Sequence, residues 1–213
     1  MRTFSITTIL LASCAGAAMA GSFTTPVIIA APIIAPPVTI TDWRGPYAGG
    51  LVNFNSAGDF TFYDVGLPVD TFSLDGNTSY GGFAGYNFQN RMFVYGGEFA
   101  VHSGGMAVDG SDTTGFGPVF DLKARAGFAV GNALAYGVIG GSFSTLSRPA
   151  VDAFTFPSSG FAYGAGVDFQ LNDRWFVGAE YLVRDLSGTS TQNSNESITA
   201  TLQSVQLRIG IQF

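Results

Sequence analysis

Eight charged residues stand out by their surroundings: Glu98, Asp121, Asp168 and Glu180, and opposing them Lys123, Arg125, Arg184 and Arg208. Each lies where charged or small residues alternate with apolar ones, as in Phe120-Asp121-Leu122-Lys123-Ala124-Arg125-Ala126. Side chains on a strand alternate between two faces, so the charges share one face and the apolar set takes the other. Charges removed from water must be paired, at several kcal/mol each if they are not. Four acids against four bases therefore predict an interior ion-pair network. The competing chemistry is a gated pore or a proton or ion path. A barrel of eight strands has an interior that its own side chains about fill, which favours a structural plug. His102 follows Glu98 by four residues on the same face. It is either a group titrating near neutral pH or an inward polar residue near the outer rim.

Catalysis finds little to work with. A Ser-His-acid design needs base and nucleophile on one face, but alternation sends Ser103 to the face opposite His102. No Gly-x-Ser-x-Gly elbow occurs. The chain has one His and one Cys, too few for a zinc site. Asp109-Gly110-Ser111-Asp112 lacks the later Glu of a calcium loop. No catalytic residue, metal site or cofactor is expected.

The elements that position the charges are strands. In the terminal segment 201–213, Phe213, Ile211, Ile209, Leu207 and Val205 alternate with Gln212, Gly210, Arg208, Gln206 and Ser204. Similar alternation predicts strands over 47–55, 79–88, 92–102, 120–130, 133–143, 160–170 and 175–185, eight in all. Outward sets are expected to include Ala48, Gly50, Val52 and Phe54 in the first strand and Phe99 in the third. They include Leu134, Tyr136 and Val138 in the fifth and Tyr181 in the seventh. Short turns (Gln89-Asn90-Arg91, Gly131-Asn132, 171–174) alternate with long connections, of which 56–78 is too irregular to read as one strand. Strands of about ten residues, with tight turns at one end and long loops at the other, suit an all-β, antiparallel up-and-down transmembrane barrel of eight strands. Tyr47, Phe88, Phe93, Phe128, Tyr136, Phe169, Trp175 and Phe213, near the tight turns, would form the periplasmic aromatic belt.

Composition agrees. Charged residues make up 11% of the 213, against about 25% in ordinary soluble domains. Hydrophobic residues reach 46% with 29 Gly, yet past the N-terminus no apolar run approaches the roughly 20 residues of a membrane helix. The net charge of -6 argues against a nucleic-acid partner. A soluble ligand barrel is the rival, with aromatics inside and charges outside.

Met1-Arg2, an apolar stretch over 4–12 and the small-x-small site Ala18-Met19-Ala20 predict a signal peptide over 1–20. Leu11-Ala12-Ser13-Cys14 leaves lipidation of Cys14 as the alternative. Residues 21–42, with Pro26, Pro32, Pro36 and Pro37, predict an extended periplasmic linker, and 43–213 the barrel.

The segment Trp-Arg-Gly-Pro-Tyr-Ala-Gly-Gly-Leu-Val-Asn-Phe over 43–54 and the final Phe213 resemble the OmpA-type and opacity-like outer-membrane surface barrels, notably those of alphaproteobacteria. The resemblance implies a cell outer membrane location and Phe213 as a signal for the barrel assembly machinery. It further implies contact with outer-membrane lipid and lipopolysaccharide, and a non-enzymatic role in envelope integrity and surface presentation. Asp59, Asp64, Asp70, Asp75, Asp109, Asp112, Asp152 and Glu196 make the long connections acidic. An extracellular partner is one use for them, simple solvation the other. A small solute pore, or an enzyme acting on outer-membrane lipid, are the remaining functional alternatives.

Overall fold

The computed structural model describes residues 41–56, 58–74, 76–104, 115–148 and 154–213. The signal peptide, Cys14 and nearly all of the linker lie outside the described residues.

The strands are β1 (Gly45–Asn55), β2 (Gly58–Asp64), β3 (Leu67–Leu74), β4 (Thr78–Asn90), β5 (Phe93–His102), β6 (Gly115–Phe116), β7 (Val119–Val130), β8 (Ala133–Arg148), β9 (Phe154–Gln170), β10 (Trp175–Thr189) and β11 (Glu196–Gln212). Eight of them follow one another antiparallel in the order β1-β4-β5-β7-β8-β9-β10-β11. β11 then pairs with β1, from Tyr47 opposite Gln212 to Asn55 opposite Ser204, and the ring closes. Closure leaves no unpaired edge within the ring.

Alternation decides what each face meets. In β7 the pattern is unbroken, with Asp121, Lys123 and Arg125 buried and Leu122 61% exposed. Phe99, Tyr181 and Ile209 also face outward while Glu180 is buried. The soluble rival, which needs the reverse, is excluded.

The fifth strand corrects the expectation. Leu134, Tyr136 and Val138 of β8 point inward, and Ala135, Gly137 and Ile139 outward. A two-residue turn at Gly131-Asn132 places Val130 directly opposite Ala133, and directly paired residues share a face. Val130 is exposed, so Leu134 must turn in.

Most ring strands also run past the expected ten residues, to 17 in β9 and β11. Their long-connection ends reverse the alternation. Val205, Leu207 and Ile209 of β11 are apolar and outward, whereas Leu202, Ala200 and Ile198 are apolar and inward, with Gln203 and Thr201 outside. The reversal marks where the outer surface passes from lipid to water. Inward Leu146, Phe156, Leu186 and Phe116, with the edge of Phe62, join them in an apolar core at this end. A second apolar core, including Trp43, Val94, Leu134 and Phe176, occupies the tight-turn end. The charged interior lies between the two.

The segment that resisted assignment, 56–78, contains a hairpin. β2 pairs with Glu196–Ala200 of β11 and carries β3 on its far side. Val65 and Gly66 join the two strands at φ +48° and +76°, the paired positive φ of a type I′ turn. Gly66 suits that geometry, whereas a β-branched residue at φ > 0 is strained. The Val65 amide donates to the Asn195 carbonyl at 2.9 Å, holding the strained tip in place. Val65→Asn is expected to stabilise the hairpin by about 1 kcal/mol. Slower amide exchange across β2 and β3 checks it, and unchanged or faster exchange would refute the strain.

Candidate functional site

All eight charges expected inside are inside, none more than 4% exposed. They form two tiers. The tier nearer the tight turns contains Glu98 from β5, Lys123 and Arg125 from β7, Asp168 from β9, Glu180 from β10 and Arg208 from β11. Glu98 is its hub. Lys123 Nζ lies 2.9 Å from Glu98 Oε1, and Arg208 Nη2 and Arg125 Nη1 lie 2.5 and 3.4 Å from Oε2. Lys123 also donates to Glu180, which meets Arg208 Nη1 at 3.2 Å. Arg125 Nη2 reaches Asp168 Oδ2 at 2.7 Å. With three acids and three bases, this tier is neutral by itself.

Two residues assigned to the belt belong here instead. Tyr47 and Tyr136 are buried in the lumen and leave the periplasmic aromatic set. Tyr47 shares the face of Leu51 and Asn53, which alternation with outward Phe54 requires. Its hydroxyl donates to Glu98 Oε2 at 3.0 Å. The Tyr136 hydroxyl donates to Asp168 Oδ1 at 3.3 Å, and the Arg125 guanidinium lies 3.8 Å from its ring centre. Arg208 lies likewise over Phe83, at 4.0 Å. Such cation–aromatic contacts gain strength away from water.

The second tier lies nearer the long connections. Arg184 of β10 grips Asp121 of β7 side-on, Nε to Oδ1 at 3.0 Å and Nη2 to Oδ2 at 2.7 Å. Its Nη1 donates to the Ser204 hydroxyl at 2.8 Å, and Ser142 donates to Asp121. His102 sits here, its Nε2 3.2 Å from Arg184 Nη2 and its Nδ1 3.3 Å from Ser79 Oγ. The spacing with Glu98 suggested a different neighbour for it. Gln206, between the tiers, is fully buried with no hydrogen-bond partner for either amide atom among the described residues.

What this interior can do follows from its packing. Ser79 touches His102, but it is fully buried and its imidazole partner is occupied by Arg184. The adjoining cavity, about 10 Å³, has room for a single water at most.

On the outer wall, Phe88, Phe93, Phe128, Phe169, Trp175 and Phe213 are exposed near the tight turns. Tyr86 and Tyr95 join them. Ring centres 4.9–5.7 Å apart link Tyr86, Phe88, Tyr95, Phe93 and Phe128. The Phe213 amide donates to the Pro46 carbonyl at 3.0 Å, tying the last residue to the first ring strand.

Comparison with known proteins places this architecture. The crystal structure of the outer membrane protein OprG from Pseudomonas aeruginosa is similar with a TM-score of 0.53 at 14% identity, over 80% of this chain and 96% of that one. That of Neisserial surface protein A has a TM-score of 0.49 at 13% identity, over 79% and 97%. No curated protein matches the chain. The family described as outer membrane protein beta-barrel domain matches residues 7–213. With a closed ring of lipid-facing strands around a charged interior, the chain belongs to this family of outer membrane β-barrel proteins.

Proposed function

We propose that this protein is a closed, non-enzymatic element of the outer membrane that supports envelope integrity and presents an acidic outer surface. The observation that carries the reading is the interior: paired charges fill the lumen and apolar cores cap both ends. Short turns of outer-membrane barrels face the periplasm, so the hairpin and the strand extensions would lie outside. Exposed Asp64 and Asp70 on that hairpin suit a partner of basic character.

Planar bilayers test the closed state. Purified barrel is expected to show no steady single-channel openings in 1 M KCl. Steady openings abolished by Arg208→Ala would replace this reading with a small solute pore. For the enzyme alternative, lipid A mass spectra from cells with and without the protein are expected to be identical, and a modified species would overturn the non-enzymatic assignment. Cells lacking the protein are expected to take up bulky dyes faster, and unchanged uptake would remove the envelope role.

A further inference from the structure

We infer that His102 is a proton-sensitive latch: as a neutral imidazole it accepts a hydrogen bond from Arg184, and gaining a proton releases the outer tier of the interior. The argument starts from donors and acceptors. A guanidinium has only donors, so His102 Nε2, 3.2 Å from Arg184 Nη2, must be the acceptor. The ring proton then belongs on Nδ1, where it faces the Ser79 hydroxyl at 3.3 Å. Ser79 can accept there, although it also accepts from Asn53 Nδ2 at 3.3 Å.

Charge points the same way. The outer tier holds one acid, Asp121, and one base, Arg184, and is neutral only while the imidazole is neutral. From the elements packed around it, His102 faces Arg184 of β10, Asp121 and Lys123 of β7 and the uncharged Ser79 of β4. Asp121 is the one group that would welcome a proton on Nε2. It lies 3.8 Å away, farther than Arg184, and its oxygens are held by Arg184 and Ser142. A second proton on the ring therefore turns an N–H donor against an N–H donor in a tier with almost no exposure. The conflict is relieved by separating His102 from Arg184 and admitting water. The cavity of about 10 Å³ bounded by Asn55, His102, Phe116, Arg184 and Leu202 adjoins both side chains and has room for the first such water.

The tight-turn tier has no histidine and keeps its own balance, so acidification that charges His102 would loosen one tier and spare the other. This latch rests on the closed-interior reading for its consequence, a hydrated outer lumen. The imidazole can be observed even in a barrel that conducts.

The chain has one histidine, so its imidazole nitrogen signals are unambiguous in NMR of the barrel in lipid nanodiscs. At pH 7 the expected state is neutral with the proton on Nδ1. On acidification the signals should convert to imidazolium, and the amides of Asp121, Arg184 and Ser204 should exchange about tenfold faster at matched intrinsic rates. Those of Glu98 and Glu180 should stay within about twofold. His102→Gln keeps an acceptor that cannot be protonated and should abolish the selective acceleration. An imidazolium or Nε2-protonated ring at pH 7 would overturn the latch, as would protonation that leaves the outer-tier amides unchanged. If the Gln variant does not fold, the native titration alone decides.

Discussion

Glu98→Ala is expected to lower the unfolding free energy of the barrel by about 3–5 kcal/mol, the range for removing one partner of a buried ion pair. Glu98 receives Lys123, Arg125, Arg208 and the Tyr47 hydroxyl. Its loss leaves three cations facing two acids, Asp168 and Glu180, with almost no exposure to water. Urea unfolding in lipid vesicles, followed by tryptophan fluorescence, reads the change. The double variant Glu98→Met with Arg208→Met removes one charge of each sign and restores a two-to-two balance. It is expected to cost less than Glu98→Ala alone, because buried pairs exchanged for apolar side chains are often neutral or better. A Glu98→Ala barrel within about 1 kcal/mol of the native one would mean that water already reaches the tier. The closed-interior reading would fall with it.

Much of this arrangement was legible because lipid inverts the usual rule. The unbroken alternation of β7 and of the last residues of β11 marks both the strands and their greasy side, and the charges identify themselves as inward by default. What failed did so for local reasons. The facing of Leu134, Tyr136 and Val138 was available from the turn, since outward Val130 across Gly131-Asn132 forces Leu134 inward. Aromatic character near the tight turns predicts an outward belt, whereas Tyr47 and Tyr136 show the lumen using the same residues for their hydroxyls. The long-connection ends were hidden by the reversal at Ser204 of β11, where apolar residues change faces and the period-two signal cancels itself. The partners inside were not legible at all. Glu98 and Arg208 are 110 positions apart, and His102 and Arg184 82. Which acid meets which base depends on the register and stagger of a closed ring, and neither is written in any one strand.

Register also sets the second large expectation. Four inward aromatics lie directly across from glycines of the neighbouring strand: Tyr47 opposite Gly85, Phe83 opposite Gly49, Tyr136 opposite Gly166 and Phe176 opposite Gly210. Each ring lies down over the bare backbone, the way an aromatic covers a glycine in a curved sheet. At Gly166 a Cβ would stand 2.6 Å from the Tyr136 ring and 2.9 Å from the Ala179 carbonyl oxygen. Tyr136 has nowhere to retreat, because Arg125 covers its ring and Asp168 holds its hydroxyl. Gly166→Val is therefore expected to destabilise the barrel by about 3 kcal/mol, the upper part of the range for overpacking. Gly137→Val, on the lipid side of β8 with the nearest atom 3.8 Å from its Cβ, is expected to fall within about 0.5 kcal/mol of native. Shortening the ring should restore room, so Gly166→Val with Tyr136→Ala should be less unstable than the sum of the two single changes. Equal stability of the Gly166 and Gly137 variants would show that the ring moves freely. The interior would then be looser than a plug.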